Sequence, residues 1–169
     1  MSKDECKETA WHKAATLGNV EVLKRLCDWA KELQLKPEEL RNKLLLSKDE
    51  SKETALHSAA KSGHVEILKN LWDWAQEMQL KPKELRNEVL LSKDKNNRTA
   101  WHGTALEGKV EVLNKLWDWA KELQLKPEEL RNEVLLSKDE YKETAWHKAA
   151  EGGHVENYRN CGVGLKNCS

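Results

Sequence analysis

Four histidines, His12, His57, His102 and His147, stand 45 residues apart along the chain. Imidazole is the commonest metal ligand and a frequent general base, so this spacing raises both chemistries. Ser58 and Lys61 form an S-x-x-K pair, a nucleophile motif of some acyl-transfer enzymes. Thiols stand at Cys6, Cys27, Cys161 and Cys168. None of these has the company it needs. The positions equivalent to Ser58 are Lys13, Gly103 and Lys148, and no companion motif accompanies the serine. No C-x-x-C pair occurs, which argues against a zinc site and a disulfide framework, and reduced, non-ligating thiols are expected. Asn97–Arg98–Thr99 has the form of a glycosylation triplet, but Thr99 is better used as a helix cap. Gly-rich phosphate loops and paired acids are absent. The expectation is a protein with no catalytic residue, no metal and no cofactor, and not an enzyme.

Composition narrows the class further. Twenty-nine basic and 29 acidic residues in 169 leave a formal net charge of zero, with no basic stripe for nucleic acid. Phe is absent while Trp occurs eight times, which points to amplification of a local motif. No apolar run approaches the ~20 residues of a membrane span. The opening "MSKDECKETAWHKAA" has no apolar signal region, so a cytoplasmic location and no membrane partner are expected.

The elements that carry these residues repeat. "ETAWHKAA" at Glu8, "ETALHSAA" at Glu53, "RTAWHGTA" at Arg98 and "ETAWHKAA" at Glu143 share the 45-residue step of the histidines. The units are 3–47, 48–92, 93–137 and a partial 138–156. Each reads as three helices. The first begins after a capping Thr (Thr9, Thr54, Thr99, Thr144) and stops at Gly18, Gly63, Gly108 or Gly153. The second is amphipathic: in the third unit Val112, Leu113, Leu116, Trp117, Trp119, Ala120 and Leu123 share one half of the wheel. Trp29, Trp72 and Trp74 hold matching places, which reads as core, or as groove lining at the helix edge, rather than as a ladder for stacking bases or sugars. The third helix starts at Pro37, Pro82 or Pro127, with Leu130, Val134, Leu135 and Leu136 as its inward positions in the third unit. No unit can cover such faces alone, so an all-α solenoid of stacked repeats is predicted, and one histidine per solenoid step is too sparse to share a metal.

"TAWHKAA…GHVEVL" resembles the ankyrin repeat, whose pattern runs T-P-L-H-x-A-A and then G-H. Thr54, Leu56, His57, Ala59, Ala60, Gly63, His64, Val65, Glu66, Ile67 and Leu68 and their equivalents carry the match over about half of every unit. Ala replaces the pattern's Pro at Ala10, Ala55, Ala100 and Ala145, and Trp replaces its Leu at Trp11, Trp101 and Trp146. The unit also exceeds the usual ~33 residues by an extra helix. The resemblance implies short protruding tips, a local hydrogen bond between each histidine and its own Thr, and a concave partner-binding face made of tips and first helices.

The ending "NYRNCGVGLKNCS" breaks the repeat. Its last residues and a stop can be written GTT GGG CTA AAG AAT TGC AGC TAA. Re-phased, the same letters read TGG GCT AAA GAA TTG CAG CTA A, which is "WAKELQL". Working backwards, the hidden frame is "LxKLWxWAKELQLK", the second helix a fourth unit needs, with one mismatch between the two Trp. Residues 157–169 therefore read as an out-of-frame tail. Its triplet Asn167–Ser169 and its pair Cys161 and Cys168 were not shaped by a site. A fourth unit without that helix leaves the third unit's apolar flank partly uncovered.

Positions that differ between near-identical units are the candidate partner-binding residues. Cys6, Ser51, Asn96 and Tyr141 lie in the predicted tips; Lys13, Ser58, Gly103 and Lys148 on the first helix; Asn19, His64, Lys109 and His154 at the start of the second. The expected role is to bind another protein there. The alternatives are drift on a solvated face after recent duplication, and a fragment of a longer array that self-associates through its uncapped ends.

Overall fold

The computed structural model describes residues 8–154 except Leu35. Cys6, the tail and the thiols Cys161 and Cys168 lie outside the described residues. Helices α1 (Ala10–Leu17), α2 (Val20–Glu32) and α3 (Pro37–Leu40, continued as a π-helix over Arg41–Leu45) form the first unit. The second has α4 (Ala55–Ser62), α5 (Val65–Glu77) and α6 (Pro82–Glu84, π-helical over Leu85–Leu90). The third has α7 (Ala100–Leu106), α8 (Val110–Glu122) and α9 (Pro127–Glu129, π-helical over Leu130–Leu135). Helix α10 (Ala145–Glu151) begins the fourth, and no strand occurs among the described residues. First helices stack in the row α1, α4, α7, α10, and α5 packs between α2 and α8. The solenoid of three-helix units is as expected.

Local chemistry sets each element. Thr9, Thr54, Thr99 and Thr144 are extended N-caps, and Gly63 turns left-handed at φ 84° to end α4, a region where a Cβ is penalised. The third helix departs from a simple α-helix. After its Pro start it bonds five residues back, as in Leu91 N–H to the Arg86 carbonyl at 2.8 Å. That wider turn points residues five apart the same way, so Leu85 and Leu90 are both buried, with Val89 between them.

Burial follows position in the stack. Ile67, Leu68, Leu71, Val112 and Leu116 are at most 1% exposed. Trp72 and Trp119 stack across the seam between the second and third units, with ring centroids 4.7 Å apart. Two expectations change at the ends. Trp29, at the register of Trp119, is 55% exposed rather than core, because no described unit precedes α2. Leu136 is 47% exposed although Val134 is buried, because among the described residues no second helix of a fourth unit covers α9.

Each tip is closed by two backbone bonds. In the first, Asp49 N–H reaches the Glu53 carbonyl at 3.0 Å and Lys52 N–H the Asp49 carbonyl at 3.1 Å. The turn places Lys52 at φ 59°, Asn97 at φ 64° and Lys142 at φ 64°. Asn tolerates this left-handed region better than Lys. Lys52→Asn, which copies the third unit's residue, is expected to raise stability by a few tenths to about 1 kcal/mol, read as a shift in the urea midpoint at unchanged slope.

Candidate functional site

The tip-and-first-helix face is organised by one aspartate per tip. Asp94 Oδ1 accepts from the backbone N–H of Asn96 and of Arg98, each at 2.8 Å, and its Oδ2 accepts from Arg98 Nε at 2.9 Å. Asp139 Oδ1 accepts from Tyr141 and Glu143 N–H in the same manner, and Asp49 Oδ1 from Glu53 N–H. An aspartate that satisfies amides two and four residues on is a turn-former by mechanism. Neighbouring tips are tied by a single backbone bond, Lys95 N–H to the Ser51 carbonyl at 2.8 Å and Glu140 N–H to the Asn96 carbonyl at 2.9 Å.

The histidines tie each first helix to a distant carbonyl, at the end of the same unit or in the next. His57 Nδ1 accepts from Thr54 N–H at 3.2 Å and lies 2.9 Å from Thr54 Oγ1, while its Nε2 donates to the Ser92 carbonyl at 3.0 Å. His102 repeats this with Nε2 on the Ser137 carbonyl, while His12 keeps the Thr9 contacts and places its Nε2 on the Glu53 carbonyl of the next unit. A backbone N–H only donates and a carbonyl only accepts, so the ring must be neutral with its proton on Nε2. The local Thr bond is the expected one; the Nε2 bond, which for His12 reaches the following unit, is additional. His147 keeps the Thr144 contacts, and no carbonyl meets its Nε2 among the described residues. Burial drives the His57 pKa down to about 4, and lowers that of His102 as well. Among the described residues no group of three or more His, Cys, Asp or Glu could hold a metal. Cys27 is a buried free thiol whose pKa burial raises.

The candidate residues fall into different settings. Tyr141, Lys13 and Asn19 are exposed, and Ser51, Asn96 and Gly103 are half-buried on the same face. His64, Lys109 and His154 are half-buried between units. The His64 ring lies over Gly18, where a Cβ would come within 2.6 Å of it, and His64 Nε2 bonds the Thr16 carbonyl at 3.0 Å. His154 covers Gly108 and Lys109 covers Gly63 in the same way. Ser58 and Lys148 are each only 8% exposed. The Lys148 ammonium is 2.6 Å from Glu143, 2.8 Å from Glu151 and 3.9 Å from Asp139, and Glu143 and then Glu151 hold its pKa up.

Beside Ser58 lies an open depression of about 550 Å³, lined by Glu8, Thr16, Glu53, Ser58 and Lys61 among others. The Glu53 carboxylate faces it with no hydrogen bond or ion pair among the described residues, and burial raises its pKa. Glu53 escaped the sequence comparison because Glu8 and Glu143 match it. The signal was its combination with a small residue five positions on.

With this geometry in hand, known proteins can be compared. The family profile described as ankyrin repeats (3 copies) matches residues 1–82. A chain in the crystal structure of the yeast ribosomal protein Rps3 in complex with its chaperone Yar1 superposes with a TM-score of 0.69 at 25% identity. That match covers 94% of this chain and 92% of the other. No curated protein matches in sequence. No helix among the described residues is long and apolar enough to cross a membrane.

Proposed function

The chain belongs to the ankyrin-repeat family, and from that premise we propose that it is a protein-interaction module that grips another protein with the concave face of tips and first helices. The observation that carries this reading is where near-identical units differ. Tips are joined by backbone bonds and by the Lys48 ammonium on the Lys93 carbonyl, so the side chains at Ser51, Asn96 and Tyr141 are not needed to join them. Zero net charge leaves recognition to shape and hydrogen bonding rather than long-range steering. The yeast complex, described as a chaperone with a ribosomal protein, supports a protein as the partner class.

Affinity capture from a lysate with two baits tests it. One bait is the chain itself; the other has Lys13, Ser51, Asn96 and Tyr141 exchanged among units, leaving the core untouched. A protein retained by the first and lost from the second is the expected result. Identical captures from both baits would remove the site. Recovery of the chain alone would favour a second reading, self-association through the ends. That reading is supported by Val22, Trp29 and Leu33, which are 48%, 55% and 73% exposed at one end, and by Leu136 at the other.

A further inference from the structure

Every described unit places an acidic group at its tip, and the units differ in what neutralises it. In the fourth, Lys148 reaches back from α10 to Glu143 and Asp139. In the third, Arg98 takes the place of the tip glutamate and pairs with Asp94 at 2.9 Å. The first carries Lys13 at the register of Lys148. The second alone has neither device: the registers of Lys148, Glu143 and Asp139 are filled by Ser58, Glu53 and Asp49. Shortening a lysine to a serine leaves space where its stem would run, and the depression beside Ser58 occupies that place. Next to it, a Cβ built on Gly103 would meet nothing closer than the Lys61 side chain at 3.8 Å.

We propose that this depression is a receptor for one cationic side chain of the partner, a lysine or arginine, which completes in the second unit the charge pair that the fourth makes internally. The proposal rests on the concave-face reading above and names its partner's chemistry. The cation enters beside Ser58 and donates to the Glu53 carboxylate, as the Lys148 ammonium donates to Glu143 at 2.6 Å. Charge-assisted bonds of this kind are among the strongest a surface offers. The rim holds competing cations, Lys61 and Lys109, against the carboxylates of Glu8, Glu53 and Glu107. Lys61 is exposed and forms no ion pair with Glu53 among the described residues, but its charge acts on that carboxylate against the rise of its pKa, so an entering cation competes with it. The raised Glu53 pKa agrees with a half-buried carboxylate lacking a bonded cation.

An NMR titration of the full chain tests this directly. The probes are the blocked tripeptide acetyl-Gly-Lys-Gly-amide and its norleucine counterpart, read at the amides of Glu53, Ser58 and Gly103. The lysine peptide is expected to saturate the shifts at about tenfold lower concentration, the size of one charge-assisted bond. Ser58→Lys places the fourth unit's lysine beside the Glu53 carboxylate, with Lys61 standing at the register of Glu151, and is expected to abolish that preference. Glu53→Gln, which keeps the shape, is expected to abolish it too. Equal binding of the two peptides, or a lysine preference that survives both substitutions, overturns the proposal. So does a captured protein that Ser58→Lys retains as well as the native chain, a result that leaves the interaction reading standing. Loss of all capture would count against that reading instead, while the titration still decides this site.

Discussion

Acidification from neutral pH to about pH 4 is expected to destabilise the fold by roughly 3 kcal/mol through His57 alone. The ring is 5% exposed and bonded at both nitrogens, with Thr54 N–H on Nδ1. A second proton would have to sit on Nδ1, facing another donor. Burial dominates the lowering of its pKa from 6.5 to about 4, against smaller opposing effects from Asp94 and the Ser92 carbonyl. An imidazole whose folded pKa lies below its unfolded value is protonated first in the unfolded chain. Its contribution to stability is therefore complete above about pH 6.5 and is lost as the pH falls towards about 4. His102 is shifted in the same direction by burial and adds to the loss. Glu53 acts in the opposite sense, because its raised pKa means that protonation relieves the folded state. Urea midpoints across this window, with the His57 ring proton followed by NMR, check the expectation. A His57 resonance that titrates near its ordinary value would show that burial does not exclude the proton.

Trp119→Ala is expected to cost about 3–5 kcal/mol, while Trp29→Ala, at the same register two units earlier, costs less than about 1 kcal/mol. Trp119 is 5% exposed and lies 8° from parallel with Trp72 across the central seam. Its removal takes away both a large buried surface and an aromatic stack worth about 0.5–1.5 kcal/mol beyond burial. Trp29 is 55% exposed and has no described unit against it. In a stack where each unit touches only its neighbours, a weakened central seam also uncouples the two halves. Urea unfolding of Trp119→Ala should therefore broaden, with loss of near-ultraviolet circular dichroism from the stacked pair. Equal costs for the two substitutions would mean that the seam does not hold the array together.

Sequence made the repeating frame legible because its signals are local. Thr caps, stopping glycines and the apolar arc of "VEVLNKLWDWAKELQL" act within a few residues, and each appears where its pattern places it. What stayed hidden depends on the neighbouring unit. His64 and Lys109 vary like surface residues, yet their side chains pack on Gly18 and Gly63 of the unit before. Lys148 and Ser58 share a register and are equally buried, one by ion pairs and the other by being small. The π-helical stretch of the third helix escaped because its leucines fit an α-helical reading until the five-residue bond is seen. The depression at Glu53 was invisible for a related reason, since it is defined by a side chain the second unit lacks.

The seams are built from groups that every unit owns. The tip bond uses a backbone amide and a backbone carbonyl, and the imidazoles of His57 and His102 tie a unit's first helix to that unit's own last carbonyl. One unit can therefore follow another without adjustment, like links cut to one pattern. Unequal crossing-over between copies of the coding segment would lengthen or shorten the array by whole links and still yield a molecule that closes its seams. The same arrangement confines damage: a fault in one link weakens its own joints, and links further along do not register it.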